Sequence, residues 1–232
     1  MNLIKVSNSN LVSWELYKYV EGIYVVRIVD DYARGMLFLR YQEYYESPDE
    51  LYYRQDFDIF DYMNTFRILR GESVFTYPEE WAGFNIPGDN LLSCIGGISR
   101  MNKYDKEMRK IVRLIRKDTG GKFYIVGVDN IDGRLLDHEL AHAFYYLDKG
   151  YRNDMKGLVM GLGKSKLKRM NKLLLGLGYR EDVIMDEVQS YLGTGLGVGQ
   201  DKIFSVRDCE KFIKYYKKYK GKSGIINRLH NS

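Results

Sequence analysis

A chain of 232 residues with 45% hydrophobic content is long enough to bury a substantial core, as one large domain or two small ones. The formal charge of +5 is modest, three prolines argue against long linkers, and two cysteines, Cys94 and Cys209, exclude a disulfide framework and a cysteine-based zinc site. No run of about 18 apolar residues is present, so no membrane span is expected. The first eight residues lack the charged start and apolar stretch of a secretory signal, so a cytoplasmic location is expected.

In chain order, residues 23–29 predict a strand, as do Met36, Leu37, Phe38 and Leu39 behind a turn at Gly35. Residues 57–69 predict a helix with Phe57, Phe60, Tyr62, Met63, Phe66 and Ile68 mostly inward. Residues 77–87 mix aromatics, two prolines and acids, and read either as a structured loop near a cleft or as a packed surface turn. Residues 1–100 thus predict a mixed α/β N-terminal subdomain that shapes or covers a site.

Past residue 101 the pattern changes. Residues 105–117 predict a helix with Met108, Ile111, Val112 and Ile115 on one side, ended by Thr119-Gly120-Gly121. Residues 122–128 predict a strand, 129–133 a turn, and 134–149 a helix stopped by Gly150. Further helical segments follow at 158–162, 166–177 and 181–192. The glycine run at 193–199 follows a helix rather than a strand, so it lacks the context of a dinucleotide loop. Gly163-Lys164-Ser165 lacks the first glycine of a phosphate loop, because position 158 is Leu158. The basic clusters at 164–169 and 214–222 read as solvated faces of amphipathic helices, and no nucleic-acid partner is expected. Around the second cluster, Cys209, Phe212, Ile213 and Tyr216 form the packed stripe. Residues 101–232 together predict the metal-binding subdomain.

One stretch in that half carries chemistry. His138-Glu139-Leu140-Ala141-His142 uses two of only three histidines. Residues four apart on an α-helix project from one face, so both imidazoles can reach one tetrahedral ion. Glu139 lies about 100° around the helix, beside such an ion rather than bound to it, where it can take a proton from an attacking water. Leu136, Leu140, Ala143, Phe144 and Leu147 form an apolar stripe nearly opposite the histidines. The apolar side is expected to pack and the histidine side to face a cleft. The alternative is an amphipathic helix with two exposed histidines.

Zinc held this way takes a third protein ligand and leaves its fourth position open. The other histidine, His230, lies in a polar tail. On the helix at 181–192, Glu187 falls inside the apolar arc of Val183, Ile184, Val188, Tyr191 and Leu192, while Asp182, Asp186 and Gln189 fall on the polar side. A carboxylate turned inward is costly unless paired or metal-bound, so Glu187 is the candidate ligand. A buried salt bridge to an arginine is the alternative. Asp186 is expected to orient a histidine or to sit in solvent.

The two-histidine motif with a glutamate on a later helix resembles the glutamate-zincin (gluzincin) metallopeptidases. The interval from His142 to Glu187, 187 − 142 = 45 residues, is similar to that of the lethal-factor-like branch, which includes the Pro-Pro endopeptidases. The resemblance covers roughly residues 122–220 and not residues 1–100. It implies an α+β, zincin-like metalloprotease fold, Zn²⁺ on His138, His142 and Glu187, Glu139 as general base, and a peptide or protein substrate. In that branch a tyrosine shortly before the third ligand steadies the oxyanion. Tyr179, eight positions before Glu187, and Tyr191, one turn after it, are the two candidates here. The strand at 122–128 would offer an edge to an extended substrate. Two other readings use the same ligands: a hydrolase of a non-peptide amide, and a non-catalytic zinc-binding module. A structural site has no need of Glu139, which counts against the second.

Overall fold

Alternating and β-branched residues near the N-terminus form three antiparallel strands, β1 (Asn2–Ser7), β2 (Trp14–Val20) and β3 (Ile23–Arg27). The structure is a computed structural model that describes residues 1–196 and 204–230, with the side chains of the last helix described to residue 222. Gly22, at φ 77°, makes the turn into β3. The next two segments of the sheet come from far along the chain. β4 (Phe84–Pro87) and β5 (Tyr124–Val128) complete the order β1-β2-β3-β5-β4, with β5 parallel to β3 and antiparallel to β4. Every residue of β5 is buried, and both of its edges are occupied. The strand at 122–128 therefore has no edge to offer a substrate, contrary to expectation. The sheet's edges are β1 and β4.

Helix α1 (Asp31–Glu46) stands where a strand was expected at 36–39. Asp30 caps it, accepting a hydrogen bond from the Ala33 amide at 2.6 Å. All residues from Ala33 to Glu43 are buried, and a helix buried on every side shows no apolar stripe to reveal its period. Gly35 lies inside this helix, not at a turn, because Pro78 packs against it: a Cβ there would come within 2.6 Å of the Pro78 ring. Pro78 belongs to the single turn α3 (Tyr77–Glu80), so residues 77–87 resolve into a packed surface turn, with Tyr77 and Pro78 buried and Glu79 and Glu80 exposed, and an edge strand.

Between α1 and α3, Asp58 caps α2 (Ile59–Arg70) and Gly71, at φ 68°, ends it. Ile59 and Tyr62 are buried, whereas Phe60 and Ile68, expected inward, are exposed. Ile68 is nine residues from Ile59, half a rotation away, so the packed arc is narrower than the apolar content implies. Then come α4 (Gly88–Gly97) and α5 (Lys103–Asp118), the latter started by a reciprocal Asn102–Asp105 cap. Met108, Ile111, Val112 and Ile115 are buried as expected.

Gly127 in β5 shows what the sheet's contact with α1 requires. An added Cβ would lie 2.5 Å from the Phe38 ring, closer than side chains pack. Gly127→Ala is expected to destabilise the protein by about 1–3 kcal/mol through overpacking. The check is the urea midpoint, which should fall with the slope unchanged. An unmoved midpoint would mean that Phe38 yields at no cost.

The chain divides into two compact units, Met1–Ile131 and Asp132–Ser232. Helix α5 and strand β5, which the sequence pattern groups with the C-terminal half, belong to the first unit, β5 as a strand of its sheet. The described part of the second unit is helical: α6 (Arg134–Leu147), α7 (Lys149–Met160), α8 (Lys164–Gly176), a 3₁₀ turn (Glu181–Val183), α9 (Ile184–Thr194) and α10 (Val206–His230). The fold class is α+β. Among the described residues, no helix is long and apolar enough to cross a membrane.

Gly150 does not stop the metal-motif helix. Asp148, in extended conformation, ends α6, and its carboxylate accepts from the Tyr151 amide at 2.8 Å to start α7. On α10, Cys209, Phe212 and Tyr216 are buried and Ile213 half-buried, with most lysines exposed, as the stripe predicts. Gly195, at φ 70°, closes α9; residues 197–199 of the glycine run lie outside the described residues.

Candidate metal centre

The site is assembled by two helices of the second unit. Gly133, at φ 131°, leads into α6, a backbone conformation that favours glycine. Leu136, Leu140, Ala143 and Phe144 pack as the apolar stripe predicts. The opposite side is not an open face. Helix α9 packs against α6, and His138, Glu139 and His142 are only 6%, 4% and 2% exposed. The reading with two exposed histidines is thereby excluded, and so is the histidine face open to a cleft. Glu187 on α9 is 3% exposed, so the sequence argument for an inward carboxylate holds.

These side chains converge. His138 Nε2 and His142 Nε2 are 3.3 Å apart. Glu187 divides its oxygens between them, with Oε1 3.6 Å from His142 Nε2 and Oε2 3.9 Å from His138 Nε2. An ion bound tetrahedrally at about 2.0–2.2 Å sets its ligand atoms about 3.3–3.6 Å apart. The two nitrogens and the His142–Oε1 pair lie at that edge length, whereas the His138 separation of 3.9 Å is longer and runs to the other carboxylate oxygen. Glu187 Oε2 is buried without a hydrogen bond, and among the described residues no lysine or arginine pairs with Glu187. The arginine salt bridge is therefore not what holds it. A buried carboxylate oxygen facing two imidazole nitrogens could be satisfied by a cation, and His138, His142 and Glu187 form a group able to hold a metal ion.

The electrostatics of the group differ between its two imidazoles. Burial, then the neighbouring His142, holds His138 well below the usual imidazole range, with the Ser190 main chain acting weakly against both. Its neutral ring is the form that ligates metals. Burial also disfavours charge on His142, but the Asp186, Glu187 and Glu139 carboxylates outweigh it and raise its pKa. Burial raises Glu187, opposed by His142 and reinforced by Asp186 and Glu139. Three carboxylates around two imidazoles leave a negative excess that, without a cation, only retained protons can offset.

Behind His142 lies a second layer. His142 Nδ1 donates to Asp186 Oδ1 at 3.1 Å, which directs Nε2 inward. Of the two roles open to Asp186, orienting a histidine is the one observed. Gln189, expected on the polar side, is fully buried because α7 also packs on α9. Its Nε2 donates to Asp186 Oδ1 at 2.9 Å and to the Ala141 carbonyl at 3.3 Å, and its Oε1 accepts from Tyr151 at 3.1 Å. Sequence reasoning missed Gln189 and Tyr151. The signal available was an amide one helical turn beyond an acid, Asp186 to Gln189.

The two tyrosines are brought together with each other. Their hydroxyls are 3.1 Å apart, and the Tyr191 ring lies 4.7 Å from the His138 ring. Tyr191 is thus the one against the histidines, and Tyr179 reaches the group through it. The side chain of His230 lies outside the described residues.

No protein-family model, no curated protein and no solved structure matches this chain.

Proposed function

We propose that the chain is a zinc-dependent metallopeptidase of the glutamate-zincin type, with a zincin-like fold and a peptide or protein substrate, acting in the cytoplasm. The observation that carries this is the convergence of His138, His142 and Glu187, whose candidate ligand atoms lie within 4.8 Å of one another, with one carboxylate oxygen buried and unsatisfied. The histidine and glutamate donor set suits Zn²⁺, which supplies Lewis acidity towards a carbonyl and towards water near neutral pH. Glu139 is close enough for its charge to act on both His142 and Glu187, and serves as the base that accepts the water's proton and returns it to the leaving amine. Tyr191, backed by Tyr179, donates a hydrogen bond to the developing oxyanion. Asp186 keeps His142 in the tautomer whose Nε2 can ligate.

The depth of the group supports one second reading, hydrolysis of a small non-peptide amide, because the histidines and both glutamates are each under 10% exposed. Digestion of a broad peptide library separates the two: a peptidase yields a cleavage consensus and an amidase yields none. Zinc without hydrolysis of any substrate would leave a binding module.

The purified chain is expected to carry about one Zn²⁺, and stripping it should lower the melting temperature. An ion present at about 1,000 times its Kd contributes about 4 kcal/mol to stability. Mass spectrometry of the metal content and paired melting curves check this. Protein prepared without chelators that holds no metal, and takes up none, refutes the proposal.

A further inference from the structure

We propose that Gln189 is a positioning residue for the metal centre, acting on His142 through Asp186 and itself held by Tyr151; this rests on the zinc reading above. Position 189 is fully buried in a helix packed by four others, where an aliphatic side chain is the ordinary occupant. An amide there is unfavourable unless every polar atom is bonded. Here each is, and the bonds lead to the histidine ligands. Nε2 reaches the carbonyl of Ala141, the residue before His142, and the same Asp186 oxygen that holds His142 Nδ1. Nε2 carries two hydrogens, so three acceptors share it: Ser190 Oγ at 2.6 Å and Asp186 Oδ1 at 2.9 Å are the close ones, and the Ala141 carbonyl at 3.3 Å is the weakest.

Asp186 needs such a hold because it is only half-buried. Left alone, its carboxylate has water as a competing partner and can swing off the imidazole. Gln189 donates to the oxygen that must stay, while Tyr151 on α7 donates to Gln189 Oε1 and fixes which way the amide faces. A glutamine amide can donate to a carboxylate and accept from a phenol at one position. Glutamate would set a second carboxylate against Asp186, and an apolar residue would let it go.

Gln189→Met keeps the length of the side chain and deletes its hydrogen bonds. Zn²⁺ affinity, read by competition with a chromophoric chelator, is expected to weaken about tenfold, the low end of losses from outer partners of metal-ligating histidines. The absorption of Co²⁺ bound in place of zinc should change as well. The discriminating arm is a cycle with Asp186→Ala. If Gln189 works through Asp186, adding Gln189→Met to Asp186→Ala should weaken binding no more than about twofold further. Full additivity would make Gln189 a packing residue and overturn the proposal. Should Gln189→Met fail to fold, Tyr151→Phe carries the test, with a smaller loss expected that likewise disappears in the Asp186→Ala background. Wild-type protein that takes up no zinc sinks the zinc reading and this inference together. Wild type and Gln189→Met binding zinc equally sinks this inference alone.

Discussion

Glu139→Gln is expected to leave the zinc content at about one per chain while lowering hydrolysis at least 100-fold to 10,000-fold, the usual contribution of a positioned general base. The substitution keeps the shape of a side chain that is 4% exposed and removes its ability to take a proton. It does not remove a ligand, because the group able to hold an ion is His138, His142 and Glu187. Glu139 acts on that group by its charge, raising both His142 and Glu187. Metal content and turnover therefore respond differently, and the pair of measurements is decisive. Loss of zinc in this variant would make Glu139 a ligand rather than a base. Unchanged turnover would reject the mechanism.

What the sequence made legible and what it hid follow from where the information lies. The metal motif is local: four residues of helical spacing fix the direction of two side chains, and His138 and His142 meet as that spacing requires. Glu187 was legible for a related reason, since a carboxylate within an apolar arc contradicts its surroundings. Its neighbour Gln189 was not, because the wheel assumes one buried side and α9 is packed by α6, α7, α8 and α10. The same assumption failed for α1, where burial on every side erased the helical period and left Met36 to Leu39 looking like a strand. It failed again on α6, whose histidine side is covered rather than open. Sheet order is the other kind of loss. That β5 lies between β3 and β4 depends on pairings of residues about 100 and 40 positions apart, which no local pattern encodes.

Glu187→Gln is expected to weaken Zn²⁺ binding more than 100-fold, and Asp186→Asn by about 10–100-fold. The two acids are adjacent in sequence and sit about 100° apart on α9, so helix geometry alone assigns them different tasks. Glu187 faces the Nε2 atoms of both histidines at 3.6 and 3.9 Å. Asp186 meets the far side of one of them, His142 Nδ1, at 3.1 Å. On the proposed ligand set, removing the first charge takes away one of three direct donors and the only negative one among them. Removing the second leaves all three donors present and loosens the aim of a single ring. Affinities measured side by side decide the assignment. A larger loss in Asp186→Asn would move the ligand by one residue. Near wild-type binding in both would place the third ligand elsewhere, with His230 the next side chain to replace. The ordering has a further consequence for the cluster without metal. Glu187→Gln also deletes a carboxylate whose burial raises its pKa and which His142 alone opposes, so the metal-free form of that variant should melt no lower than metal-free wild type. A direct ligand should thus lose affinity without losing metal-free stability, which an ordinary core residue would not do.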